Sequence, residues 1–156
     1  MKIFCDTNIV LEFLQQRTQA QAVEDVLSFA SSRHDDLCIS IGSFYTLTYL
    51  VEGYLKRDQH LAGEDKLREL REILNGILDS FSLVDAISDS IKRGVADLDF
   101  SDLEDSYQAH IAEDYGCDVL LTINKKHFER FAQNASLSVL TPIEFLNVYV
   151  KGEKTR

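Results

Sequence analysis

A chain of 156 residues, 45% hydrophobic and 27% charged, has the size and composition of one ordinary globular domain with a genuine core. Its 26 acidic residues outnumber the 16 lysines and arginines, and the net charge of −10 argues against indiscriminate nucleic-acid binding through a basic surface. The apolar runs are only a handful of residues long, which excludes a membrane-spanning helix, and Asp6 arrives too early for a signal peptide, so the chain reads as cytoplasmic with no membrane partner.

Residues 2–6 read as a short buried strand, an apolar run that stops abruptly at Asp6. Helices are expected over 7–16 and 20–33, with a break near Thr18 and Gln19. A second strand spans 37–41, bounded by His34-Asp35-Asp36 and Gly42-Ser43, and a helix follows to Arg57. Residues 61–79 form the clearest amphipathic helix, with Leu67, Leu70, Ile73, Leu74, Ile77 and Leu78 on one stripe. A third strand is expected over 81–84 and a helix over 85–96. Ser101-Asp102-Leu103-Glu104 fits a capping box that opens a helix closed by Gly116. Strands over 118–122 and 137–140 flank a helix over 125–132. Thr141-Pro142-Ile143-Glu144 then opens the last helix with a second capping box. The pattern gives one α/β domain over residues 1–150 with a polar tail over 151–156. Alternating strands and helices imply a mostly parallel central sheet of about five strands with helices on both faces.

In such a sheet the ligand crevice lies beyond the carboxyl ends of the strands, so Asp6 is aimed into it. The helix from Ser101 places Asp102, Asp105, Ala109 and Ala112 on one side, the alanines suiting close packing on a sheet. Asp105 thus stands at the mouth of a buried stripe, where an unpaired carboxylate is costly to desolvate and a cation would offset that cost. For Asp102 a helix-capping role weighs equally. Asn124 follows the fourth strand and reads either as a site carboxamide or as the cap of the next helix; Thr7 and Asn8 carry the same ambiguity. Acids converging from separate strand ends suit a hard cation, Mg²⁺ or Mn²⁺, which activates a water and stabilises phosphoryl oxygens in an in-line displacement. The three cysteines, Cys5, Cys38 and Cys117, form no CxxC pair and read as buried free thiols. The four histidines, His34, His60, His110 and His127, lack ligand spacing.

These segments resemble the PIN-domain family of compact α/β nucleases, which includes many toxin ribonucleases. The strand running into Asp6-Thr7-Asn8 is similar to that family's opening. The stretch from Asp102 to Ala109 resembles its second acidic motif, the stretch from Gly116 to Phe128 its late strand–turn–helix, and the stretch from Leu140 to Leu146 its ending. The likeness spans essentially the whole chain in order, and implies a three-layer α/β/α fold. It also implies a Mg²⁺- or Mn²⁺-dependent endoribonuclease in which Asp6 and Asp105 are catalytic and hold the metal. Asn124 stands where many members have an acid, and Asn8 and Asp102 lie close to the site.

One position departs from the family. The Glu often found early in the third helix is Thr46 here, and the next acid, Glu52, lies six residues further on, roughly 9 Å of helical rise. Either Asp102 or Glu52 enters the site by a different geometry, or the site holds fewer metals. Thr7, Thr46 and Glu52 are therefore supporting candidates. Lys125, Lys126 and Arg130 are candidates for contact with the RNA backbone, a solvated helix face being their alternative role. The resemblance further implies an RNA substrate, a small antitoxin partner and a homodimer. The alternative is a catalytically weakened PIN-fold module that binds nucleic acid or protein. A phosphatase of the haloacid dehalogenase type fits poorly, since it wants a second Asp where this chain has Asn8.

Overall fold

The structure is a computed structural model and describes residues 1–152. Five short strands, β1 (Lys2–Cys5), β2 (Asp36–Ser40), β3 (Ser82–Val84), β4 (Val119–Leu121) and β5 (Ser138–Leu140), form one sheet in the order β3-β2-β1-β4-β5. All its pairings are parallel. The register sets Cys5 beside Leu121 and Phe4 beside Cys38, so β1 is central and β4 is its neighbour, as the placement of Asn124 near Asp6 requires.

Side chains alternate strictly across this sheet, as the two-residue period of a strand demands. Ile3, Cys5, Leu37, Ile39, Val119 and Leu121 enter one core. Phe4, Cys38, Leu120 and Val139 enter the other. Burial on both faces is why the strands read as unbroken apolar runs. The first core is closed by α1 (Thr7–Leu14), α2 (Ala20–Ser32), α3 (Ile41–Arg57), α4 (Gly63–Ser80) and α8 (Pro142–Phe145). The second is closed by α5 (Ser88–Ala96), α6 (Leu103–Asp114) and α7 (Glu129–Ala132). The architecture is the three-layer α/β/α sandwich expected, with every strand found where the sequence placed it.

Four local features differ from expectation. Leu67 and Leu78 are 42% and 45% exposed, so the stripe of α4 narrows to Leu70 and Ile77 with Ile73 and Leu74 at its edge. The segment after Asn124 begins as a 3-10 turn, Lys125–Phe128, before α7. At α6 the cap is Asp102, not Ser101, its carboxylate accepting the Glu104 N–H, while the Glu104 side chain turns to Thr7. Lys151 belongs to the closing helical turn, Leu146–Lys151, and the rest of the expected tail, residues 153–156, lies outside the described residues. Two signals hold as read: the capping box at Thr141 with Pro142 at the first turn, and Gly116, whose φ of 70° ends α6 in the left-handed region glycine favours.

The helix that carries Asp105 is seated by small residues. Ala109 and Ala112 are fully buried against the sheet. On its other side Ser106 Oγ donates to the Gly94 carbonyl at 2.9 Å, and a Cβ at Gly94 would lie 2.7 Å from Tyr107 Cδ1 and 3.4 Å from Tyr107 Cα. A Gly→Ala exchange inside a helix ordinarily gains about 1 kcal/mol, but here α5 and α6 would have to part. We expect Gly94→Ala to destabilise the protein by on the order of 1–2 kcal/mol in urea unfolding; an unchanged or higher midpoint would show that Tyr107 yields freely.

Candidate active site

Asp6 is the last residue held by the β1–β4 ladder: its N–H donates to the Leu121 carbonyl at 3.0 Å. The chain turns there into α1, and Asp6 caps that helix, Oδ1 accepting from the Asn8 N–H at 3.3 Å. Oδ2 accepts from the Thr122 hydroxyl at 2.9 Å, and the same hydroxyl accepts the Asn124 N–H at 3.0 Å. Thr122 is itself held by β5, its N–H donating to the Leu140 carbonyl. Asp6 is fully buried.

Gln108, one turn beyond Asp105 on α6, joins this junction to two other segments. Its Oε1 accepts from the Thr7 N–H at 3.1 Å and from the Ser43 hydroxyl at 3.3 Å, and Ser43 in turn bonds Ser40 Oγ at the end of β2. With Oε1 so occupied, the amide N–H₂ is left to favour the ionised form of Asp6. Glu104 accepts from the Thr7 hydroxyl at 3.1 Å. The carboxyl ends of β1, β2 and β4 and the first turns of α6 are thereby sewn around one acid.

Asp105 is buried in the first turn of α6, with His127 Nδ1 at 2.7 Å from Oδ2. Burial holds Asp105 above the usual carboxylate range; the His127 contact draws it back, and the charge of Asp102 raises it again. Asp6 is pushed up to about 6 by burial, with Thr122, Asn8 and Gln108 opposing the rise and the charge of Asp105 adding to it. The charge of Asp105 thus reaches Asp6 at a buried position, and among the described residues the direct hydrogen-bond partners of Asp6 are all neutral.

The donors suit a hard cation. Among the described residues no three His, Cys, Asp or Glu side chains are gathered closely enough to enclose an ion by themselves. Mg²⁺ and Mn²⁺ need less, taking one or two carboxylates and keeping several waters.

The other expected residues divide. Asp102 caps α6, its carboxylate accepting from the Glu104 N–H at 2.8 Å, yet its charge reaches Asp105. Thr7 and Asn8 join the site through the bonds above. Asn124 is exposed and its side chain does not cap the following turn, so that alternative falls; its backbone ties it to Thr122. Thr46 is half-buried on α3, one turn past Ser43. Glu52 is drawn off into an ion pair with Lys66 of α4 at 2.6 Å. Lys125 and Arg130 are paired with Glu144 at 2.8 Å and Asp99 at 3.2 Å, while Lys126 is exposed. Sequence reasoning missed Ser43, Glu104, Gln108, Thr122 and His127. The i, i+3 spacing of Gln108 from Asp105 could have marked it; the others show no local signal.

A family profile described as PIN domain matches residues 2–126. The chain belongs to the PIN-domain family. No curated protein matches it, but solved PIN-like structures do. VapBC2 from Rickettsia felis, solved with a DNA fragment from its promoter, aligns with a TM-score of 0.68 at 17% identity, covering 90% of this chain and 98% of that one. FitAcB from Neisseria gonorrhoeae aligns with a TM-score of 0.65 at 22% identity, covering 90% and 98%. A toxin–antitoxin complex from Klebsiella pneumoniae aligns with a TM-score of 0.61 at 19% identity, covering 90% and 97%. At these identities the likeness shows that this PIN domain shares their fold.

The raised Asp6 makes a thermodynamic demand on this PIN domain. Because its folded-state value, about 6, lies above the ordinary 3.8, the native chain holds an extra proton between those values, and stability is lost as pH rises through that window. The displacement corresponds to on the order of 3 kcal/mol at neutral pH. We expect Asp6→Asn, measured with chelator present, to be more stable than the parent at neutral pH by about 1–3 kcal/mol, the gain shrinking toward about pH 4. A variant less stable than the parent at neutral pH would show that Asp6 is not strained by its burial.

Proposed function

We propose that this PIN domain is a divalent-metal-dependent endoribonuclease, a toxin-like protein that hydrolyses RNA phosphodiester bonds in the cytoplasm. The observation that carries the reading is that two buried acids from distant parts of the chain, Asp6 at the carboxyl edge of a parallel sheet and Asp105 on α6, lie near enough for the charge of Asp105 to raise Asp6. A site that raises both acids and gives Asp6 only neutral partners favours whatever brings positive charge to it. Mg²⁺ or Mn²⁺, when bound, supplies an acidified water and neutralises phosphoryl oxygens.

The chain's own residues hold that arrangement. Asp6 and Asp105 bind the cation. Thr122 and the Asn8 N–H fix the two oxygens of Asp6, and Gln108 fixes its distance from α3. Asn124, Asn8 and Asp102 at the rim support the ion or its waters, and Lys126 is free to meet a phosphate. The similar structures from R. felis, K. pneumoniae and N. gonorrhoeae support a small antitoxin as protein partner, and self-association as a dimer belongs to the same reading.

A second reading is favoured by one observation: α3 offers Thr46 where an acid would complete the site, and Glu52 is held by Lys66. On that reading the protein is a weakened PIN module that binds a partner or nucleic acid without cutting. Two measurements separate them. Titration calorimetry is expected to show saturable Mn²⁺ binding that Asp105→Asn abolishes, and purified protein is expected to cleave RNA only with Mg²⁺ or Mn²⁺, Asp6→Ala lowering the rate by at least about a hundredfold, as for loss of a group that stabilises transition-state charge. Absence of metal binding and of cleavage would establish the module; cleavage that survives Asp6→Ala would sink the proposed site.

A further inference from the structure

A groove of about 430 Å³ opens at Asn8, the residue whose N–H is bonded to Asp6, and runs between α1 and α3 past Arg17, Tyr54, Arg57 and Asp58. It continues around Leu50 and Arg57 into a hollow of about 280 Å³ walled by Tyr49, Lys56, Glu52 and Lys66. Four cations thus meet two acids along this track, on a chain whose net charge is −10. One of those acids, Glu52, is already neutralised by Lys66. Among the described residues Arg17 is held by a neutral group, Nε and Nη2 both donating to Gln15 Oε1.

Arg57 is seated by an absence. A Cβ at Gly53 would lie 2.9 Å from Arg57 Nη1 and 3.4 Å from Cζ. Glycine inside a helix costs about 1 kcal/mol relative to alanine, and in α3 that cost makes room for a guanidinium lying back along the helix into the groove. Tyr49, 77% exposed, presents its ring beside the same hollow. Ser43, Leu50 and Arg57 recur at seven-residue spacing, so one face of α3 runs from the site to the guanidinium, roughly 21 Å of helical rise.

We propose that this track is the path of a single-stranded RNA, whose phosphates are met by Arg17 and Arg57 and whose bases reach Tyr49, and which delivers the strand to Asp6 and Asp105. Cations interleaved with an aromatic platform are what a single strand recognises, and the groove's lining begins at Asn8, whose N–H is bonded to Asp6. The inference rests on the ribonuclease reading.

The test is fluorescence anisotropy of a labelled single-stranded RNA on the full chain in an Asp6→Asn background, across a salt series, with cleavage followed in the parent background. Arg17→Ala and Arg57→Ala are each expected to weaken binding several-fold and to reduce the slope of log affinity against log salt by about 0.7, the signature of one lost phosphate contact on a single strand. Gly53→Ala is expected to weaken binding while raising thermal stability, and Lys92→Ala, on α5, to change neither. If RNA binds and is cut but the arginine variants keep the parent affinity and slope, the track is refuted while the nuclease reading stands. If no RNA binds any variant, both fall. If Arg57→Ala or Tyr49→Ala instead dissociates a dimer in sedimentation, the face is a self-association surface and the track is refuted.

Discussion

The structure depends on keeping two like-charged carboxylates out of water within each other's field. Nothing in the packing of an α/β sandwich requires this, and the physical chemistry opposes it. The surrounding bonds show how the cost is contained. Asp6 is spread over a hydroxyl, a backbone amide and a carboxamide, each of which favours its charge without cancelling it. Asp105 is given a histidine edge on one oxygen. The result is a native state that carries strain where a positive ion would relieve it.

The scaffold makes that containment possible because both layers are tightly specified. The strict alternation of β1, with Ile3 and Cys5 to one core and Phe4 to the other, leaves no freedom of register. A slip of one residue would turn every one of these side chains to the wrong face. The sheet order then does the remaining work, setting β4 against β1 so that the threonine after one strand meets the acid after the other. Gln108 performs the corresponding task between helices. A single side-chain oxygen, shared by the α1 and α3 junctions, keeps α6 at a fixed distance from both.

Much of this was legible in the sequence, and the reason is periodicity. Each of the five strands announces itself as an apolar run, and Asp6 and Asp105 stand out as acids at the ends of apolar patterns. What was not legible is what depends on which distant segment arrives. Glu104 read as a helix-capping partner of Ser101 because both are near in sequence; in space Thr7 outcompetes that role. His127 had no ligand spacing to betray it, because its partner Asp105 lies on another helix. The stripe of α4 was read too wide at Leu67 and Leu78, since a helical period says which side is apolar but not how far the neighbours reach. Gly53 could not be interpreted from sequence at all: its meaning lies in the guanidinium one turn away.

The bond from Thr122 to Asp6 joins residues 116 positions apart. A chain emerging from a ribosome therefore exposes its first acid long before the strand that buries it has been made. During most of its synthesis the nascent polypeptide carries Asp6 as an ordinary solvated carboxylate, with no opposing Asp105 and no threonine to clamp it. The junction around Asp6 is complete only once β4 docks beside β1 and brings Thr122 to it.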